Sequence, residues 1–593
     1  MWSFNFIGLA LILLASRVMA LTVTVSATAS HPVPSTLFGQ MFESGDGGLY
    51  AELLQNRAFQ LVTPGTAAAL NGWQAVNGAN ISVIAETEPV SSALPNALQI
   101  SVPAGTTGSV GFSNTGFSGI KVTAGTKYKT SFFYRFPSRF KSNLKTVISL
   151  QSTSGQVFGS ATVQLSGSQT SWKQVTATIT ARTGTSTISN LFTVAFDGVS
   201  ASGQSINFAM FSLFPPTFKD RENGMRVDIA EALAEAGPSF FRLPGGNNLE
   251  GQTPSTRWQW NATVGSLLDR PGREGDWGYV NTDGLGLFEY LNWCEDVGMQ
   301  PIMAIWAGYS LDGQSIAEGD LQPYIQQAAD QTNSFAIAAL RASLGRPEPF
   351  ILNYVEVGNE FIATTNPFSP IISPNPADYD IHVYQTPSWF AQNSFFYDTF
   401  EGEYAAISTN ASDIFGIPAT GRLTFPTMQS SAGEAAFMTG LERNSDIVFA
   451  ASYAPLLGHV TYNQWLTFLL ASAGAVYRST SYYVQKLFSL NRGDEYIPST
   501  LPSPSGTLFW SVVRKTSTRQ IIIKHRSTCH FVLPFSHVAA TGTAQVLTGP
   551  ETGSNTPTDP NLIVPVNSTI HTGKTFTYTA PAVSVNVLTF TAF

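Results

Sequence analysis

Glu360 closes the segment Tyr354-Val355-Glu356-Val357-Gly358-Asn359-Glu360, an apolar run that ends abruptly in a carboxylate. Glu403 sits in a second short segment, Gly402-Glu403-Tyr404-Ala405, and His382-Val383-Tyr384-Gln385 lies between the two. Two carboxyl groups facing one sugar bond can hydrolyse it: one protonates the leaving oxygen, and the other acts as nucleophile or base. Strands that end in Asn359-Glu360 and in Glu403 can present such a pair on the rim of a parallel barrel. Glu401 is a neighbouring carboxylate and the rival for the second position. The chemistry to expect is cleavage of a glycosidic bond.

Such carboxylates need elements that hold them. From Pro215-Pro216 onward, helix and strand alternate. Arg226 to Ala236 reads as a helix, followed by a strand from Ser239 to Leu243 that carries Arg242. Leu285, Phe288, Leu291 and Cys294 recur every third residue, which predicts a helix stopping at Gly298. A strand from Pro301 to Trp306, a long helical stretch from Leu321 to Leu344, the strand ending at Glu360, and helices over Trp389 to Thr399 and Tyr482 to Leu490 continue the pattern. Alternation of this kind implies parallel pairing, and a (β/α)8 TIM barrel is its natural closure.

Two flanking regions read differently. Between residues 66 and 215, Ser, Thr and Gly dominate, and strands such as Lys127 to Tyr134, Thr146 to Leu150 and Trp172 to Ile179 recur without helical period. That predicts a β-sandwich, with Trp73 and Trp172 in its core. Strands and turns return over 493–593, which predicts a second, C-terminal sandwich, although Lys524 to His530 reads unlike its surroundings. The expected division is 1–20 signal peptide, 21–65 N-terminal strand and start of the barrel, 66–215 inserted sandwich, 216–492 barrel and 493–593 C-terminal sandwich.

With 593 residues the chain exceeds a single core. Only 12% of residues are charged and the net charge is −8, with no basic run, which argues against nucleic acid as a partner and suits neutral sugar ligands. Phe6 to Ala15 has the length of a secretory apolar region and is too short to span a bilayer, and Val18-Met19-Ala20 offers small residues at a cleavage site. The reading is a secreted, extracellular protein, without membrane partners, that matures near Leu21. Asn80, Asn261, Asn410 and Asn567 then become glycosylation sequons. Cys294 and Cys529 define no disulfide framework, and no His/Cys cluster has metal-ligand spacing.

On these residues the chain closely resembles glycoside hydrolase family 51, the fungal secreted α-L-arabinofuranosidases. The resemblance runs through Phe42 to Arg57, Phe241 to Gly251, Asn281 to Gly286, Ala304 to Leu311, Tyr354 to Glu360, His382 to Pro387, Gly402 to Ala405 and Thr424 to Met428. It implies a catalytic (β/α)8 barrel, a C-terminal β-sandwich, and an inserted sandwich like carbohydrate-binding modules. It also implies Glu360 as general acid/base and Glu403 as nucleophile of a retaining mechanism, with carboxyls about 5 Å apart. Arg242 matches the group that holds the nucleophile ionised. Asn247, Asn359 and Glu43 match groups that hold arabinose hydroxyls, and His382 and Tyr384 match groups bordering the nucleophile. Trp306 is a candidate for stacking on a sugar. No metal or organic cofactor is implied. The expected substrates are arabinose-containing plant cell-wall polysaccharides and oligosaccharides, such as arabinan and arabinoxylan, attacked at terminal non-reducing α-L-arabinofuranosyl residues.

One interval departs from that pattern. Glu360 and Glu403 are 43 residues apart, whereas three compact βα units at about 30 residues each would fill roughly twice that span. Ile362 to Thr365 reads as a strand directly after Glu360, so a helix and its loops are expected to be missing there, and almost no strand precedes Glu403. Besides an exo-acting arabinofuranosidase, two readings stay open: an inactive, truncated homologue that at most binds carbohydrate, and an endo-β-glucanase of the same fold.

Overall fold

The computed structural model describes residues 21–43, 48–332, 341–359, 380–398, 423–461, 466–503, 506–525 and 529–593, with the backbone alone for Tyr404–Asn410. The predicted signal peptide lies outside the described residues, as do Glu360, Glu401, Glu403 and the segment 360–379 in which the missing helix is expected.

Seven strands form one sheet: β1 (Phe38–Met41), β2 (Phe240–Leu243), β3 (Gln300–Ile305), β4 (Tyr354–Val357), β5 (Asp380–Tyr384), β6 (Tyr404–Asn410) and β7 (Val448–Tyr453). Their spatial order is β4-β3-β2-β1-β7-β6-β5, and every neighbouring pair is parallel. All four residues of β2 are buried, as expected for a strand covered on both faces. Close packing between strands fixes Gly39, where a Cβ would overlap the Phe240 ring. The two edge strands among the described residues, β4 and β5, are those that the undescribed segment 360–379 connects.

The longer helices beside this sheet, all but α5 read from the sequence, differ from that reading at their ends. They are α1 (Val227–Glu235), α2 (Leu287–Val297), α3 (Gln322–Thr332), α4 (Pro387–Gln392), α5 (Met428–Arg443) and α6 (Thr480–Leu490). In α2, Leu287, Leu291 and Cys294 are buried, and Gly298 ends the helix in the left-handed conformation at φ 83°. The long stretch predicted from Leu321 is described as helix only to Thr332, with 333–340 outside the described residues. The helix predicted from Trp389 instead begins at Pro387, because Thr386 caps it by accepting from the Trp389 N–H at 3.2 Å, and it ends at Gln392.

Helix α5 was not legible as a helix. Fifteen of its sixteen residues are buried, so it shows no amphipathic stripe. It lies between α4 and the C-terminal sandwich. Gly433 and Gly440 let α4 and its following turn approach, since a Cβ at either would overlap the carbonyl of Pro387 or Ser394. On its other side Glu442 forms a fully buried ion pair with Lys524 and accepts from the Ser511 hydroxyl at 2.6 Å. Lys524 therefore belongs to a regular sandwich strand, Gln520–His525, which corrects the reading of Lys524 to His530 as foreign to the sandwich.

Residues 73–214 form two five-stranded antiparallel sheets packed face to face. Phe112, Phe132, Phe208 and Phe211 fill their core together with Trp73, whose indole N–H donates to the Asn56 carbonyl at 3.0 Å. Trp172 is half-buried at the rim rather than in that core, with the Arg135 guanidinium 5.8 Å above its ring. The C-terminal sandwich sets a seven-stranded sheet against a three-stranded one. The strand Leu21–Thr24, expected with the barrel, instead pairs parallel with Cys529–Val532 in the smaller sheet. Val23 is buried in the sandwich core, while Thr22 and Thr24 on the opposite face are exposed. Cys294 and Cys529 are both buried free thiols.

Candidate active site

Strands β2, β4 and β5 carry a buried ionic cluster. Arg242, 2% exposed, donates from Nε and Nη2 to the two carboxylate oxygens of Glu356. Its Nη2 also donates to the Asn359 side-chain oxygen at 2.8 Å and lies 3.4 Å from Asp380. Asn359 in turn donates to Glu250 at 3.1 Å, and Asp380 bonds the His382 ring at 2.7 Å. Alternation explains the convergence. Tyr354 and Glu356 share one face of β4 while Val355 and Val357 are exposed on the other, and Asp380, His382 and Tyr384 share one face of β5.

The charges in this cluster are strongly coupled. Burial opposes the charge of Arg242, but the carboxylates of Glu356 and Asp380 outweigh it and hold the guanidinium charged. Burial lifts the Glu356 carboxyl to about 7; Asp380 adds to that lift, and Arg242 opposes it. Burial alone would lift Asp380 as well, yet His382 and Arg242 hold it well below the usual carboxylate range. The two carboxyls are thus pushed in opposite directions, Glu356 upward and Asp380 downward. The Nη1 of Arg242 has no hydrogen-bond partner among the described residues. A buried donor in that state is ready to meet an incoming acceptor.

Glu43 follows β1 and accepts from the Trp277 indole at 3.0 Å. Gly246, at φ 58°, is required beside it, because a Cβ there would overlap the Glu43 carboxylate. Asn247 is half-buried and opens the one-turn helix Asn247–Glu250, whose last residue reaches Asn359. Arg242, Asn359 and His382, all singled out in the sequence, are therefore brought together. Glu356, Asp380, Glu250 and Trp277 were missed. The signal for Glu356 and Asp380 was present: each is a carboxylate two residues from a polar or aromatic partner within a strand.

Trp306 departs from the expectation of an open stacking face. It is 9% exposed, the Arg257 guanidinium lies 4.9 Å from its ring centre, and Tyr324 packs edge-on at 5.0 Å. Its indole N–H donates to the Tyr309 carbonyl at 2.7 Å. This Trp is packing. Among the sequons, Asn80, Asn261 and Asn567 are exposed, whereas the backbone of Asn410 ends β6 and pairs with Tyr384 of β5.

Glu403 lies outside the described residues; the backbone of β6 is described from Tyr404, which pairs with Val448, the first residue of β7. The end of β6 that shares a rim with Asn359 is thus Thr409–Asn410.

A buried arginine–carboxylate cluster at one rim of a parallel sheet, with two β-sandwiches attached, is an architecture of carbohydrate-active hydrolases. Comparison with known proteins narrows it. Residues 232–369 match the family model described as Alpha-L-arabinofuranosidase 1 domain, and residues 402–584 match the Alpha-L-arabinofuranosidase C-terminal domain. The probable α-L-arabinofuranosidase A of Aspergillus flavus is 35% identical over 97% of both chains, and α-L-arabinofuranosidase A of Aspergillus kawachii is 34% identical over 98% of this chain and 97% of its own. Among solved structures, the arabinose-bound MgGH51 α-L-arabinofuranosidase is 57% identical, covers 97% of this chain and all of its own, and superposes with a TM-score of 0.93. The chain belongs to the α-L-arabinofuranosidases of glycoside hydrolase family 51.

Proposed function

We propose that this protein is a retaining exo-α-L-arabinofuranosidase that removes terminal non-reducing α-L-arabinofuranosyl residues from arabinan, arabinoxylan and their oligosaccharides. The observation that carries the reading is the TM-score of 0.93 to an arabinose-bound relative at 57% identity. In this reading Glu360 protonates the leaving oxygen and Glu403 attacks the anomeric carbon, forming a covalent arabinosyl ester that water then hydrolyses. Arg242, fixed by Glu356 and Asn359, offers its free Nη1 to the nucleophile. Glu43, Asn247 and Asn359 meet sugar hydroxyls, and His382 and Tyr384 border the nucleophile. The two carboxylates need no metal or organic cofactor.

The same reading assigns 1–20 to a signal peptide, 66–215 to an inserted sandwich, 216–492 to a (β/α)8 barrel begun by 21–65, and 493–593 to a C-terminal sandwich. An extracellular location and glycans on Asn80, Asn261 and Asn567 accompany it; among the described residues no helix is long and apolar enough to cross a membrane. Release of nitrophenol from an α-L-arabinofuranoside, with the anomeric configuration of the product retained, tests the activity. Absence of that release from a folded, soluble chain overturns it.

A second reading, an inactive homologue, has specific support. The aligned length with the Aspergillus flavus relative is 634 positions, more than the 593 residues of this chain, so the relative carries segments without a counterpart here.

A further inference from the structure

A second concave site lies away from the Arg242 cluster, where the inserted sandwich meets helix α2 and the loop before α1. It encloses about 1090 Å³, and none of the residues lining it belongs to that cluster. That volume is at the top of the range of small-molecule pockets, roughly 300–1,000 Å³. One wall is the strand Lys173–Thr180, whose Gln174, Thr176 and Thr178 are exposed on the cleft side. The other carries Phe218, Phe288 and Trp293.

The chemistry of the walls narrows the ligand. The arginines there are already matched to carboxylates: Arg221 with Asp296 at 2.7 Å, Arg270 with Glu289 at 2.8 Å, and Arg346 with Glu295. Arg57 is likewise paired with Glu52, so among the described residues lining the cleft Lys129 is the cation left to face an anionic polymer, which would have to break the other pairs to find more. A purely apolar ligand would strip water from the threonine, serine and amide groups without replacing their hydrogen bonds. A neutral, polyhydroxylated ligand does neither. It can exchange water for hydroxyls on the Thr176 wall and rest a ring face on the half-buried Phe218 and Phe288. Beneath Phe218, the Trp293 indole N–H is buried and has no hydrogen-bond partner among the described residues, and the two rings meet edge-on at 5.3 Å. A hydroxyl entering beside Phe218 would supply that partner.

We infer that this cleft is an accessory binding site for a neutral oligosaccharide stretch of the polymer, separate from the site that cleaves it. The inference rests on the reading of the chain as an enzyme acting on arabinose-bearing polysaccharide. Its role is to hold backbone sugars while a branch occupies the Arg242 site, joining two weak contacts into a stronger one through the high local concentration that tethering creates.

Affinity electrophoresis of the full chain through gels containing soluble arabinoxylan tests this without requiring turnover. Retardation is expected for the unaltered chain and for Glu360→Gln. Thr176→Arg, a change on an exposed strand position that fills the cleft, should weaken the apparent dissociation constant by roughly five-fold or more. Trp293→Phe, which keeps a ring and removes the N–H, should weaken it less. Equal retardation of Thr176→Arg and the unaltered chain would overturn the inference, as would no retardation at all. Nitrophenol release from a small arabinofuranoside, measured on the same samples, reports on the activity by itself. Its loss alongside intact Thr176-dependent retardation counts against the catalytic reading and leaves the cleft standing.

Discussion

Arg242 and Glu356 are joined by two parallel hydrogen bonds although their strands are not neighbours: β3 lies between β2 and β4. The contact therefore spans the concave side of the sheet, and it continues through Arg242 to Asp380 on β5 at the opposite sheet edge. Two edges that share no backbone hydrogen bond are thus tied by side chains, so the sheet is curled enough to bring them face to face. Removing Glu356 should be costly, because it leaves a buried guanidinium beside one carboxylate only. Glu356→Ala is expected to lower stability by about 3–5 kcal/mol, and Glu356→Gln by less. Urea denaturation measures both, and an alanine variant within about 1 kcal/mol of the parent would mean that Arg242 is not held by this pair.

Glu434 gives a prediction with a defined sign. It is buried in α5 and accepts from the Gln485 amide at 2.6 Å, and burial pushes its carboxyl to about 8 despite the bonds from Ser481 and Gln485. The folded chain therefore holds this proton more tightly than the unfolded chain, whose carboxyl titrates at its ordinary value of 4.5. Stability from this group is full below about pH 4.5 and is lost as pH rises through about 8. Glu434→Gln should flatten that decline and raise Tm by a few degrees at pH 8 but not at pH 4. Equal effects at both pH values would remove Glu434 from the explanation.

The fully buried Lys524–Glu442 pair couples α5 to the C-terminal sandwich. Burial pulls the Lys524 ammonium down in pKa, against the attraction of Glu442. Either Lys524→Met or Glu442→Leu alone should destabilise by about 3–5 kcal/mol, while Lys524→Met with Glu442→Leu should recover most of the loss. A double-mutant cycle in urea measures the coupling, and simple additivity would rule it out.

The roles proposed for the two catalytic carboxylates separate kinetically. In an active enzyme, Glu403→Ala should abolish turnover with every leaving group. Glu360→Ala should spare the first step for good leaving groups, which need little protonation, while the second step slows. Azide should then rescue Glu360→Ala with configuration retained. Full activity of Glu403→Ala would shift the nucleophile to Glu401 or elsewhere.

Under the second reading, the inactive homologue, the short interval between those carboxylates makes the chain poorly soluble or inactive. A retaining mechanism needs carboxyls about 5–5.5 Å apart, so Glu403 must share a rim with Asn359. Among the described residues, strand β6 turns Thr409–Asn410 toward that rim. Restoring about 25–40 residues after Glu360, one helix with its loops, should let the chain slide so that Glu403 ends its strand, and activity should appear. Robust activity from the unmodified sequence would refute this.

Local pattern carried the sequence reading far. The three-residue recurrence from Leu285 and the stop at Gly298 located α2, and alternation located most sandwich strands. What stayed hidden depended on partners distant in sequence. Helix α5 has no polar stripe because both of its sides are covered, so nothing in its own residues marks it as a helix. Glu356 read as part of an apolar run, since its partner Arg242 lies 114 residues away. Trp306 read as a platform because the guanidinium that covers it comes from Arg257.

The pairing of Leu21–Thr24 with Cys529–Val532 sets an order of events during synthesis. The first strand leaves the ribosome about 500 residues ahead of its partner, which at roughly 5–20 residues per second is a wait of about 25–100 s. Throughout that time Val23 has no sandwich core to enter. The parallel sheet and the inserted sandwich can assemble meanwhile, as loops of one larger unit whose first and last strands are its final closure. A nascent chain arrested before Cys529 would carry a nearly complete parallel sheet on a body not yet fastened shut.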